Sequence, residues 1–274
     1  MIIKVDDDLD LRKIADSGQC FRWEPVSDDG YRIIHRQSCL YIYPEGEAGF
    51  RLTCDEDEFE EIWRDYFDLG ESYSNIRKRI DRDDDPFLYD ACEYGRGIRI
   101  LRQDPWETLI SFIISQNRNI PAIKNSISIL CDVVSHTVTD RRGVTFNAFP
   151  TPEEILSLSD DELSMCRLGY RDKYILSAAR MVAEGAILAE PLFGADEETT
   201  TETLTSIHGV GKKVAGCVSL FGLHHIDAFP IDVWIRRVLD KEYPGGYPLD
   251  KYAPYNGIYQ QYMFYYARSD AWEC

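Results

Sequence analysis

The segment Ser206-Ile207-His208-Gly209-Val210-Gly211-Lys212-Lys213-Val214-Ala215 restricts what this 274-residue chain can fold into more than any other stretch. A helix closes on an apolar residue, Gly-Val-Gly makes a tight turn, and a second helix starts at once with small Ala215 and Gly216 near its beginning. Glycine takes up positive φ at such a turn and lets a ligand approach the backbone. The unpaired N–H groups opening the second helix point outward, where they can hold a phosphate oxygen. An ordinary helical corner with glycine at the C-cap would account for an isolated Gly-Val-Gly. The apolar residue before it and the run Lys-Lys-Val-Ala after it favour a grip on a nucleic-acid backbone that does not depend on base sequence.

The net charge argues the other way. With 30 Lys+Arg against 48 Asp+Glu the chain carries −18, the opposite of a passive nucleic-acid coat. The excess is uneven. Residues 1–94 hold 12 basic and 25 acidic side chains (net −13), and residues 95–274 hold 18 and 23 (net −5). From Arg96 to Lys124 there are five basic and two acidic residues, and from Gly209 to Lys241 five and three. Contact with phosphates is therefore expected through those stretches and helix N-termini. The surrounding negative field is expected to limit non-specific binding.

A hydrophobic fraction of 44% indicates a folded globular chain, and no stretch approaches a membrane span. The start, MIIKVDDDLD, lacks the layout of a signal peptide, so a cytoplasmic protein is expected, nucleoid-associated in a prokaryote. The eight cysteines (20, 39, 54, 92, 131, 166, 217 and 274) form no C-x-x-C pair. Reduced packing thiols are expected, and no bound zinc or iron–sulfur cluster.

The residue pattern predicts an α+β chain that is mainly α. Short aromatic and β-branched runs at Tyr31–His35, Leu40–Tyr43 and Phe50–Thr53 alternate with turn signals and read as an antiparallel meander. A helix over Asp55–Leu69 follows. From Asp104-Pro105 onward the reading is helix after helix: the run after Pro105, then 119–134, one from Thr151-Pro152, Asp172–Glu184, Thr201–Ser206, Gly211–Phe221, Val233–Lys241 and about 252–268. We place an N-terminal β domain at 1–95 and a helical domain at 96–274, with the hairpin at about 201–221.

Lys212 and Lys213 diverge by about 100° on a helix and cannot share a role. Each alone reads first as an exposed phosphate contact, but a buried lysine is also a nucleophile toward carbonyl-level carbons. Lys213 lies one turn before Cys217 on the same face. Downstream, Phe229-Pro230-Ile231-Asp232-Val233-Trp234 fixes a turn and sets Asp232 as an N-cap. A capping carboxylate held beside a reacting sugar also stabilises developing positive charge. Nucleophilic lysine, capping aspartate and phosphate-gripping hairpin together suit cleavage of an N-glycosidic bond.

The HGVGKKVAGC…FPIDVW constellation resembles the helix-hairpin-helix, Gly-Pro-Asp superfamily of DNA glycosylases. SGQCFRW at 17–23, ILRQDPWETLISFIISQNRNI at 100–120, LGYRDKY at 168–174 and GIYQQYMF at 257–264 extend the resemblance, over nearly the whole chain, to the 8-oxoguanine DNA glycosylase/AP lyases. That family implies a TATA-binding-protein-like antiparallel β domain, a helical body with the active site in its cleft, and a monomer. Its substrate is double-stranded DNA containing 8-oxoguanine. It also implies roles. Lys213 attacks C1′ of the flipped nucleotide and Asp232 assists base expulsion. The Gly18 carbonyl accepts from the N7–H that guanine lacks, Gln260 reads the Watson–Crick edge, and Phe264 and Cys217 sandwich the ring. Asn117 fills the hole in the duplex, Tyr170 wedges beside it, and Arg171 donates to the orphaned cytosine. Gly209 and Gly211 belong to the phosphate grip.

Without the resemblance, Arg171 reads as a surface charge, Phe264 as core, and Asn117 and Asn119 as helix-end residues. No cofactor is required for the chemistry; a monovalent cation on hairpin carbonyls near Ile207 and Val210 is implied. Two positions depart from the eukaryotic pattern. Ala122 stands where an arginine helps enforce cytosine, so relaxed opposite-base selectivity is expected. Trp234 replaces a histidine, which puts one phosphate contact in doubt. Iron–sulfur relatives carry a four-cysteine cluster near the C-terminus, where this chain has only Cys274. The rival readings are a monofunctional glycosylase for alkylated bases, which lacks the nucleophilic lysine, and a non-catalytic hairpin DNA-binding protein.

Overall fold

Alternation of apolar and polar residues over the first fifty positions builds a five-stranded antiparallel sheet. In the structure, a computed structural model that describes residues 1–272, the strands are β1 (Ile2–Lys4), β2 (Trp23–Pro25), β3 (Tyr31–His35), β4 (Ser38–Pro44) and β5 (Gly49–Leu52). Their order is β1-β5-β4-β3-β2. The central meander matches the sequence expectation, with Ile33 opposite Leu40 and Ile42 opposite Leu52. The short outer strands β1 and β2 were not expected from the sequence. Each is three residues long and is defined by its pairing rather than by its own pattern.

One face of the sheet packs on the expected helical stretch, which runs from Glu56 to Tyr66 with a wider turn over Phe59–Trp63. Ile33, Leu40, Ile42, Phe59, Trp63 and Phe67 fill this core, and Leu101 reaches into it from the helical body. The expected helices of the body form at Pro105–Ser115, Ile120–Val134, Pro152–Leu156, Asp172–Ala183, Glu197–Thr205, Lys212–Phe221, Val233–Glu242 and Asn256–Ala267. Many start where local cap chemistry dictates. Asp104, Asn119 and Asp232 accept amide hydrogens of the first turn, and Thr151 forms a reciprocal capping box with Glu154. A small strand pair, Thr137–Thr139 with Thr145–Asn147, was also not expected. Seven cysteines are buried free thiols, and Cys274 lies outside the described residues. Among the described residues no helix is long and apolar enough to cross a membrane, and no group of His, Cys, Asp and Glu side chains is arranged to hold a metal.

The sheet and the body are joined by an extended segment, Ile98–Gln103, whose centre is Arg99. Its side chain is fully buried. Nε donates to Phe67 O (3.0 Å), Nη1 to Asp8 O (2.8 Å), and Nη2 to Asp68 O (2.6 Å) and Glu71 O. The guanidinium also lies 4.2 Å from the Tyr73 ring centre. Removing it strands several buried carbonyls at once. Arg99→Met is expected to cost about 3–5 kcal/mol, read as a lowered denaturation midpoint.

Candidate functional site

The two helices of the hairpin, Glu197–Thr205 and Lys212–Phe221, meet through Gly209 and Gly211. Gly209 has φ +87°, and a Cβ there would lie 2.1 Å from Tyr174 Cγ, so the Tyr174 ring rests directly on its backbone. Gly211 caps the second helix with φ −97° and no side-chain hydrogen bond, and nothing stands within 4 Å of where its Cβ would be. The amides of that first turn are therefore open to a ligand. Gly216, one turn on, lets Pro230 approach: a Cβ there would lie 3.2 Å from Pro230 Cβ. This close packing brings the Asp232 turn against the helix that carries Lys213.

The result is a pocket of about 50 Å3 whose lining includes Gly18, Phe112, Lys213, Cys217, Asp232, Gln260 and Phe264. It adjoins a cleft of about 750 Å3 that runs past Asn117, Arg118, Gly211, Trp234 and Arg268. Lys212 is exposed and Lys213 half-buried, as the divergence of adjacent helical positions requires. Lys213 Nζ lies 5.0 Å from the Phe112 ring centre, and Phe112 stacks on Phe221 at 5.5 Å. Burial pushes the Cys217 thiol up; the neighbouring Lys213 ammonium opposes that shift and the Asp232 carboxylate adds to it. Asp232 Oδ1 accepts from Trp234 N (3.0 Å) and Ile235 N (2.8 Å). Gln260 is buried; its Nε2 donates to Pro230 O at 3.0 Å, and its Oε1 has no partner. A buried amide oxygen left unpaired is costly unless a ligand completes it.

Gly18 sits at φ +77°, and its missing Cβ would stand 3.2 Å from Phe264 Cε1. Buried glutamines fix the loop around it. Gln261 Nε2 donates to Ser17 O (2.6 Å), while Gln19 Nε2 donates to Arg99 O (2.9 Å) and its Oε1 accepts from Leu101 N (2.9 Å).

At the cleft's edge Asn117 takes positive φ (+52°), and its Nδ2 donates to Tyr170 Oη at 3.0 Å; both residues are exposed. Tyr170 packs edge-on against Tyr174, which packs edge-on against His208, so this prong is connected to the hairpin. Gln116 Nε2 donates to Gly209 O at 3.2 Å and makes a second connection. Arg171 is not the surface charge that its sequence context suggests. It is buried, with Nε and Nη2 donating to Gln116 O and Nη1 to Leu168 O. Three of its five N–H donors thus brace the loop that carries Asn117. Ala122 lies on the first turn of its helix, and Trp234 lines the cleft with Arg237 4.9 Å from its ring centre.

Sequence reasoning missed Phe112 beneath the lysine, the Pro230 carbonyl that aims Gln260, and Gln116. Phe112 falls in an apolar run that reads only as core, and the other two act through contacts remote in sequence. Gly209→Ala is expected to destabilise the fold by about 2 kcal/mol, through forced positive φ and collision with Tyr174. Gly211→Ala, which meets neither obstacle and loses only the better cap residue, is expected to cost less, about 0.5–1 kcal/mol; thermal melts of the two variants compare them directly.

Residues 1–109 match the family of 8-oxoguanine DNA glycosylase N-terminal domains, and residues 110–244 match the HhH-GPD superfamily of base excision DNA repair proteins. The chain is 41% identical to the N-glycosylase/DNA lyase of Saccharomyces cerevisiae, over 86% of this chain and 69% of that protein. The solved structure of MBOgg1 in complex with a low affinity DNA ligand is similar with a TM-score of 0.89 and 38% identity, over 97% of this chain and 94% of that one. The Clostridium acetobutylicum 8-oxoguanine glycosylase/lyase, in complex with duplex DNA containing cytosine opposite 8-oxoguanine, gives 0.86 and 32%, over 98% and 97%. The chain therefore belongs to the 8-oxoguanine DNA glycosylase family of the HhH-GPD superfamily.

Proposed function

We propose that the chain is a bifunctional DNA repair glycosylase. It excises 8-oxoguanine from duplex DNA through a Schiff base on Lys213 and then nicks the abasic strand by β-elimination. One observation carries this reading: a half-buried amine and a capping carboxylate line the same small pocket as a buried amide oxygen that lacks a partner. The neutral Lys213 amine attacks C1′ as the glycosidic electron pair leaves with the base, and the proton that the new C–N ammonium sheds passes to that base. The sugar opens to an imine, loss of a C2′ proton follows, and the 3′ phosphate departs. Asp232, whose Oδ1 is fixed by two amides, offers Oδ2 to the positive charge that develops on the sugar.

Recognition divides among the other walls. Gln260 Oε1 accepts from the Watson–Crick edge, the Gly18 carbonyl accepts from N7–H, and Cys217 and Phe264 flank the ring. The free volume of about 50 Å3 holds one or two waters rather than a purine, so the half-buried Phe264 side chain must turn aside as the base enters. Asn117 and Tyr170 fill the space left in the duplex, over the loop that Arg171 braces. With Ala122 offering no donor, selectivity for the opposite base is relaxed.

No cofactor takes part in these steps. A monovalent cation on carbonyls near Ile207 and Val210 would add positive charge to the hairpin's phosphate grip. Ile207 O accepts from Val210 N at 3.0 Å and keeps a second lone pair for such an ion. In this reading the enzyme is a cytoplasmic monomer that holds undamaged DNA weakly.

Borohydride treatment of the protein with duplex DNA carrying 8-oxoguanine is expected to trap a covalent adduct that Lys213→Gln abolishes; wild type without an adduct would refute the lyase mechanism. Asp232→Asn preserves the cap but not the charge, so base release in single turnover is expected to slow at least about 100-fold. Gly211→Ala is expected to weaken duplex affinity by about tenfold, because the added methyl stands where the phosphate approaches.

A further inference from the structure

We propose that Arg118 reads the base opposite the lesion alongside Arg171, and that it supplies the donor pair that Ala122 lacks. This rests on the reading that Asn117 and Tyr170 occupy the place of the flipped nucleotide.

Both arginines flank that prong and lie close enough for the charge of one to act on the other. They differ in what they can still do. Arg171 is 5% exposed, does not line the cleft, and gives three of its five N–H groups to backbone carbonyls, which leaves one hydrogen on each terminal nitrogen. Arg118 is half-exposed and lines the same cleft as Lys213 and Asp232. Its Nη1 donates to Ser126 Oγ at 2.6 Å and its Nη2 to Arg167 O. Nε–H and the second hydrogen on each terminal nitrogen remain for a ligand. The two anchors hold the guanidinium plane beside the prong, so little freedom is lost on binding.

The anchors also explain why the arginine fits there. Ser126 is one helical turn beyond Ala122 on the same face of the Ile120–Val134 helix, and Arg118 reaches that face from the loop before it. A long side chain at 122 would contend for the same space, and alanine leaves it open. The chemistry of the fork selects the base. Two parallel N–H groups match two adjacent acceptors, and among the four bases only cytosine, with N3 and O2, presents that pair on its Watson–Crick edge; thymine and guanine place an N–H there, and adenine has one acceptor beside an amine.

The test is excision of 8-oxoguanine opposite each of the four bases in single turnover, together with affinity for duplexes carrying a stable abasic-site analogue opposite the same bases. Because ratios between opposite bases are compared, a general loss of activity cancels. Arg118→Ala is expected to reduce the preference for cytosine over thymine about tenfold in both assays. Arg118→Lys is expected to restore overall duplex affinity but not the preference, since an ammonium lacks the fork. Ser126→Ala, which frees the guanidinium without removing it, is expected to lower the preference only partly. An unchanged cytosine ratio in Arg118→Ala, a wild-type protein with no cytosine preference, or full rescue by lysine would each overturn the proposal. Failure to excise 8-oxoguanine in any pairing would instead refute the glycosylase reading, and the abasic-duplex affinities would still decide the role of Arg118.

Discussion

The site depends on the hydrogen bonding of a short buried loop. Ser17, Gly18 and Gln19 run between the sheet and the last long helix, where backbone carbonyls and amides cannot reach bulk water and must find partners in the protein. Two glutamines supply them. Gln261 holds the Ser17 carbonyl from the last helix, and Gln19 bridges Arg99 and Leu101 in the segment that joins the two halves. The Arg99 side chain in turn satisfies a group of carbonyls from the β domain. The wall of the pocket at Gly18 is therefore set by the docking of the β domain onto the body, although the chemistry sits on helices. This is why an acidic, sheet-based front end is part of the enzyme rather than an appendage.

The opposite side of the site shows a second kind of dependence. The hairpin, the prong at Asn117 and Tyr170, and the brace at Arg171 are tied by short polar and aromatic contacts: Gln116 to Gly209, Tyr170 to Tyr174, and Arg171 to Gln116. The hairpin and the Asn117–Tyr170 prong are thus linked by contacts that do not pass through the pocket.

What the sequence made legible was mostly local. Helices starting at Asp104, Asn119, Thr151 and Asp232 carry their caps within three or four residues, and the hairpin carries its glycines in place. Lys213, Cys217, Asp232, Gln260 and Phe264 line one pocket; helical spacing pairs Lys213 with Cys217, while Gln260 and Phe264 were legible as site residues only through the resemblance. The outer strands β1 and β2 and the 137–147 pair were not legible, since so short a segment is defined by its partner. The burial of Arg171 was not legible either, because it is set by a carbonyl 55 residues away. The resemblance suggested what Arg171 does in relatives, and only the packing shows how its donors are engaged here.

The uncapped start of the Lys212–Phe221 helix has a consequence for how this protein can be changed. Helices that begin after Asp85, Asp104, Asn119, Asp196 and Asp232 each have a side chain covering their first amides, a contribution of about 1 kcal/mol apiece. Glycine at position 211 forgoes the side-chain bond, at a cost of roughly a few tenths of a kcal/mol. A serine or aspartate there would look like an obvious improvement to anyone selecting for heat resistance, and it would satisfy those amides with the protein's own oxygen. Thermostability screens and DNA-dependent screens should therefore pull this residue in opposite directions, which makes it a position where gains in melting temperature are a warning sign.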